Sequence, residues 1–191
     1  MDLRAARSLF PALEQQVYLN TAAVSLGSTM LHEAYAAFMS QWLESGLDFV
    51  RAERAADRSR ELFANLIGAA ARDVALVASV SAAAGLVAGQ FTQAGPGENL
   101  VIGAQEYSSN HFPWRQLAQR GYAVRQVPFH HGGMEAEIVR HYVDGGTRLI
   151  AVSAIQTASS HRSDLAALSS IARSVGAWLF VDASQAAGAV I

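Results

Sequence analysis

Between residues 74 and 181 short apolar runs alternate with stretches of helical periodicity, and that alternation leaves few folds open. The segments 74–77, 100–102, 122–127, 148–152 and 177–181 read as strands: they are short, rich in Val, Leu and Ile, and bounded by Gly, Pro or Asp. The intervening segments 82–91, 113–120, 134–142 and 164–175 are predicted helices, the last with Ser163 as its candidate cap. Strand and helix in strict succession predict an α/β fold, a mostly parallel sheet with helices on both faces.

Upstream the rhythm differs. Leu31, Ala34, Phe38 and Trp42 recur at three- and four-residue spacing, as do Phe49, Ala56, Leu62, Phe63 and Leu66, which predicts helix over 28–68 with a break near Gly46. The stretch before it is irregular, with a short extended piece at 16–19. The expected organisation is an N-terminal segment, 1–27, followed by an α/β region, 28–191.

Composition removes several functions. At 51% apolar, 191 residues can build a substantial core. A formal charge of −2 gives no electrostatic case for nucleic acid or a membrane surface. The absence of cysteine excludes disulfides, zinc–thiolate centres and cysteine nucleophiles from these residues. The start of the sequence lacks the apolar core of a signal peptide and no run approaches membrane-spanning length, so a cytoplasmic location is the default expectation. All 14 basic residues are arginine; lysine is absent.

Ligand sites in open α/β sheets form at the carboxyl ends of strands, and four segments would lie there. Ser79–Val80–Ser81 opens a helix after a strand, where free N–H groups and the Ser81 hydroxyl suit a phosphate; a plain serine cap is the alternative. The run from Glu106 to Trp114 places aromatic Tyr107 just past a strand, able to lie on a planar ring or simply to pack the loop. Gln156 and Thr157 follow the next strand with polar side chains. Asp182 ends the last strand, where a carboxylate can keep a pyridine-type nitrogen protonated or cap the following turn, and Gln185 can donate to a phenolate oxygen. The pair His130–His131 lies in a Gly-rich turn with no carboxylate at useful spacing and reads as a solvated loop. No Walker lysine and no G-x-G-x-x-G occurs, which argues against a generic nucleotide-binding domain.

In this order the segments resemble the class V aminotransferase family of fold-type I pyridoxal-phosphate enzymes, which includes cysteine desulfurases and kynureninases. Tyr18–Leu19–Asn20–Thr21–Ala22–Ala23 is similar to the family's Y-L-D-x-A-A, Glu106 to Trp114 to its E-H-x-x-N-x-x-P-W, and Val181 to Ala186 to its V-D-x-x-Q-A. The resemblance covers the chain but only the first half of a family member. It implies pyridoxal 5'-phosphate as cofactor, with Val80 and Ser81 on the phosphate, Tyr107 stacked on the ring and Ser184 against the opposite face. It further implies Gln156 or Thr157 near the ring oxygen, Gln185 on that oxygen, and Asp182 as the catalytic partner of the pyridine nitrogen. Asn20, Ala22 and Ala23 would line the substrate entrance. An amino acid substrate and a homodimer follow by the same resemblance.

Three departures accompany it. The phosphate turn lacks the family's glycine and second threonine. Tyr107 stands where desulfurases carry a proton-transferring histidine, which leaves transamination, elimination and epimerisation open. The family's Schiff-base lysine and small C-terminal domain lie beyond these residues. In the family's sheet order the strand at 74–77 would then have no neighbour, so the sheet is expected to be incomplete and not autonomous in folding, and either completed by a further segment or rearranged. The alternative function is a non-catalytic remnant that binds a phosphate ligand or a partner chain.

Overall fold

A computed structural model describes residues 2–190 and divides the chain into two compact units, 1–63 and 64–191. The outermost residues of the expected segments, Met1 and Ile191, lie outside the described part.

The first unit is helical. Helix α1, Leu3–Arg7, is capped by the Asp2 carboxylate, and a 3-10 turn spans Pro11–Glu14. Helix α2, Thr29–Ser45, begins where the Ser28 hydroxyl accepts the Leu31 N–H at 3.1 Å and ends at Gly46, whose φ of +76° is open to a residue without a side chain. Helix α3, Phe49–Ile67, follows, so the predicted break falls at Gly46. The apolar stripe of α2 covers nothing: none of its residues is buried, and Leu31, Phe38 and Trp42 are 40–51% exposed.

The second unit holds helix α4 (Val80–Gly89), strand β1 (Asn99–Gly103), helix α5 (Phe112–Arg115), strand β2 (Ala123–Val127), helix α6 (Ala136–Val139), strand β3 (Thr147–Ser153), helix α7 (Leu165–Ser174) and strand β4 (Trp178–Asp182). All strand pairs are parallel and the order is β2-β1-β3-β4. Successive side chains of β1 serve opposite faces, as strand pleating requires. Leu100 and Ile102 meet Ala84 and Ala88 of α4 with Trp114 and Leu117. Val101 meets Met134, Val139 of α6, and Leu168 and Ile171 of α7. Helices on both faces of a parallel sheet are therefore observed as expected.

A strand at 74–77 is not. The four-stranded sheet leaves that segment out; it runs without strand pairing, with Leu76 and Val77 about half exposed. An extended segment acquires strand character only against a hydrogen-bonding neighbour, and none is present among the described residues. Two smaller expectations also change. Helix α7 is capped by Asp164, which accepts the Ala167 N–H at 2.9 Å, while Ser163 donates its hydroxyl to the Ser153 carbonyl. The helix expected over 134–142 shortens to α6, a single turn.

At the amino ends of the strands a polar knot ties β1 to β3. Asn99 donates to Asp144 at 2.9 Å and accepts from the Thr147 hydroxyl at 2.9 Å, and Arg125 reaches Asp144 at 2.6 Å. The bonds from Arg125, Asn99 and the Gly146 N–H hold the Asp144 carboxyl below its ordinary value. Glu98 is lowered in the same way, first by the Gly95 N–H and then by Arg148.

Candidate functional site

From β1 the chain turns one way to β2, and from β3 the other way to β4, so the connections diverge above the carboxyl ends of β1 and β3. Such a switch point opens a crevice between the two loops. In the loop that leaves β1 lies Glu106, which is 8% exposed. Its Oε1 accepts the Ser153 N–H at 2.9 Å and the Gln156 amide at 2.7 Å, and its Oε2 accepts the Ser153 hydroxyl at 2.5 Å and the Asn110 amide at 3.3 Å. Asn110 in turn accepts the indole N–H of Trp114 at 3.0 Å. Glu106, Asn110 and Trp114 thus form a chain of contacts at four-residue spacing, and it is this chain that the E-x-x-x-N-x-x-x-W pattern encodes. Gly103 lets the loop fold back so closely: a Cβ there would lie 2.5 Å from the Phe129 ring and 2.9 Å from the Glu106 side chain.

A buried carboxylate with four donors is a strong constraint. Glu106→Gln puts an NH2 group where only donors converge and leaves at least one without an acceptor. The intact protein is expected to lose about 1.5–3 kcal/mol of stability, read by urea denaturation.

At the end of β4 Asp182 is also 8% exposed. Its Oδ1 accepts both the N–H of Ser184 at 3.0 Å and that residue's hydroxyl at 2.6 Å, so the side chain caps its own turn. Every enclosed side-chain oxygen or nitrogen among the described residues has a partner, and the Asp182 carboxylate is fixed in its turn through Oδ1.

Helix α4 begins with Ser79 as its cap, its hydroxyl accepting the Ala82 N–H at 3.1 Å. Val80 and Ser81 occupy the first two helical positions, whose N–H groups have no partner within the helix. Ser81 is exposed and lines a groove with Ser108, Ser109 and Phe112. The capping and anion-binding readings thus fall on different serines. Tyr107, in the loop that follows β1, is 56% exposed, whereas Trp114 is fully buried, so only the tryptophan packs the loop.

Gln156 is buried with its amide committed to Glu106. Thr157 is exposed in the turn after it, Ser184 is exposed, and Gln185 is half-buried. Asn20, Ala22 and Ala23 are exposed in a turn of the first unit, where the Asn20 carbonyl accepts the Ala23 N–H at 3.1 Å. Glu106 and Asn110 entered the sequence reading as members of the Glu106-to-Trp114 run, with no role of their own, and Ser153 was not singled out.

One expectation is corrected. The His130–His131 turn does have a carboxylate within reach, because Glu135 returns to it: His131 Nδ1 lies 2.7 Å and His130 Nδ1 3.5 Å from its oxygens. The first of these bonds holds the Glu135 carboxyl below its ordinary value.

Comparison with known proteins agrees with this architecture. A mutant of the protein C-DES, with glycine linked to its pyridoxal-phosphate cofactor, superposes with a TM-score of 0.86 at 18% identity over 95% of this chain and 50% of its own, which shows a shared fold. The aminotransferase class-V family matches residues 17–190, and the chain belongs to that family. A probable cysteine desulfurase of Methanothermobacter thermautotrophicus is 30% identical over 98% of this chain and 48% of its own length. A cysteine desulfurase of Klebsiella pneumoniae is 30% identical over 97% and 50%. The Escherichia coli cysteine desulfurase CsdA superposes with a TM-score of 0.84 at 25% identity over 98% and 50%. The chain spans about half the length of the relatives it matches.

Proposed function

We propose that these residues form the cofactor-holding portion of a pyridoxal-phosphate enzyme acting on an amino acid. The observation that carries this reading is Asp182: a carboxylate at a strand's carboxyl end, its orientation fixed through Oδ1 by Ser184. The donor set suits the cofactor. Unsatisfied N–H groups at the start of α4, with the Ser81 hydroxyl, favour a phosphate dianion. The exposed Tyr107 ring offers a flat aromatic face. Neighbouring strands lie about 4.8 Å apart, so the ends of β1 and β4, separated by β3, stand roughly 10 Å apart, a span that a pyridine ring and its phosphate arm can bridge.

When bound, the cofactor supplies an electron-withdrawing ring that stabilises negative charge developing on the amino acid. The chain's own residues orient and protonate. Asp182 keeps the proton on the ring nitrogen, and Ser184 fixes the carboxylate plane. Glu106 holds Gln156 and the start of its loop in register with β3, which supports Thr157, exposed in the following turn, as the residue near the ring oxygen. Among residues 1–191 no lysine is available for a covalent link, so that amine comes from elsewhere in the complete enzyme.

Relatives named as cysteine desulfurases favour that branch, while Tyr107, standing where the family resemblance implies a histidine, favours transamination, elimination or epimerisation. The exposed stripe of α2 supports a second copy as its cover, giving a homodimer. No described helix is long and apolar enough to cross a membrane; a cytoplasmic location is part of this proposal.

The test is direct. The intact protein, purified and denatured in acid, is expected to release about one equivalent of pyridoxal phosphate per chain, detected by mass spectrometry. A preparation that releases none and takes none up on incubation with the free cofactor would overturn the reading.

A further inference from the structure

We propose that the His130–His131 turn and Glu135 form a binding site for a divalent cation of the zinc, nickel and copper group, beyond the carboxyl end of the edge strand β2. Each of the three side chains offers one ligand atom, and these atoms lie within 4.8 Å of one another. A tetrahedral zinc with bonds of about 2.0–2.1 Å sets its ligands roughly 3.3 Å apart, so modest rotation of exposed side chains closes the three around an ion. The imidazole rings already crowd together, with centroids 4.2 Å apart. Two imidazoles and a carboxylate suit zinc, nickel or copper in preference to magnesium or calcium, which take oxygen ligands.

The backbone is set for this arrangement. His130 and Gly133 exchange both hydrogen bonds, at 2.8 and 3.1 Å, closing a two-residue turn. His131 and Gly132 have φ of +47° and +87°, the signs of a type I′ hairpin turn, and a histidine in the left-handed region carries backbone strain that an asparagine or glycine would lessen. The turn is clamped from the side. Ser159 donates its hydroxyl to the Gly132 carbonyl at 2.5 Å, and the His161 ring lies flush on Gly133, where a Cβ would meet it at 2.0 Å. Glu135 sits at the start of α6, with its carboxylate bonded to His131. An incoming cation replaces the direct His131–Glu135 contact, and the exposure of the group leaves room for water in the fourth position.

The experiment uses the intact, tag-free protein, stripped with a chelator and titrated with zinc chloride by calorimetry near neutral pH. One equivalent is expected to bind. His131→Ala and Glu135→Gln each weaken binding at least about tenfold, while His141→Ala, a histidine outside the group, leaves it unchanged. Cobalt substituted for zinc is expected to give visible d–d absorption that His131→Ala abolishes. Absence of zinc binding at millimolar concentration overturns the proposal. So does an equivalent bound as tightly by His131→Ala as by the parent, which would place the ion elsewhere.

Discussion

Trp114→Ala is expected to destabilise the intact protein by about 3–5 kcal/mol, the range for emptying a large aromatic site in a closed core. Trp114 is fully buried between α4 and the sheet, with its ring edge-on to Phe180 of β4 at 4.7 Å between centroids. The truncation also strands the Asn110 carbonyl oxygen, which the indole N–H alone approaches from that side. At roughly 2–4 °C per kcal/mol for a domain of this size, the melting temperature falls by about 6–20 °C. Trp114→Phe separates the two contributions: it keeps the aromatic contact, loses the N–H, and is expected to cost about 1–3 kcal/mol. A melting temperature for Trp114→Ala within about 2 °C of the parent would show that the β1 loop is not anchored through this ring.

The second large effect falls on chemistry. Asp182→Asn keeps the shape and can still accept from Ser184 through its amide oxygen, so stability changes little. On the proposed function it loses the negative charge that would face the ring nitrogen. A neutral amide does not hold that proton, and turnover of any amino acid substrate by the intact enzyme is expected to fall on the order of 100- to 1,000-fold, the scale of removing one preorganised electrostatic group. Turnover within threefold of the parent would sink the assignment of Asp182. Asp182→Glu provides the internal check, since charge without the Ser184 anchor should recover only part of the loss.

Local physics explains which features the sequence disclosed. β1, β3 and α7 carry unbroken apolar runs or clear periodicity, and their predicted limits fall within two residues of those observed. Asp182 was visible as an acid closing an apolar run. The segment 74–77 has the composition of a strand but no neighbour to bond with, and composition does not report neighbours. Glu106 was opaque because its donors Ser153 and Gln156 are 47 and 50 residues away, a distance that only the β1–β3 pairing closes. Glu135 was missed for a related reason: its reach to His130 and His131 depends on a turn with positive φ at His131 and Gly132, which the Gly-rich sequence permits but does not announce.

The cluster around Glu106 has a consequence for how this site can change over generations. Its acceptor atoms are saturated by groups from two separate stretches of chain, so the tally of protons around it is fixed as a whole. A drift to a different side chain at Gln156, Ser153 or Asn110 leaves the others mismatched until a second change restores the balance. On the proposed function the two loops at the carboxyl ends of β1 and β3 are expected to change as a pair, and variation in substrate choice is expected at exposed positions beside them such as Thr157.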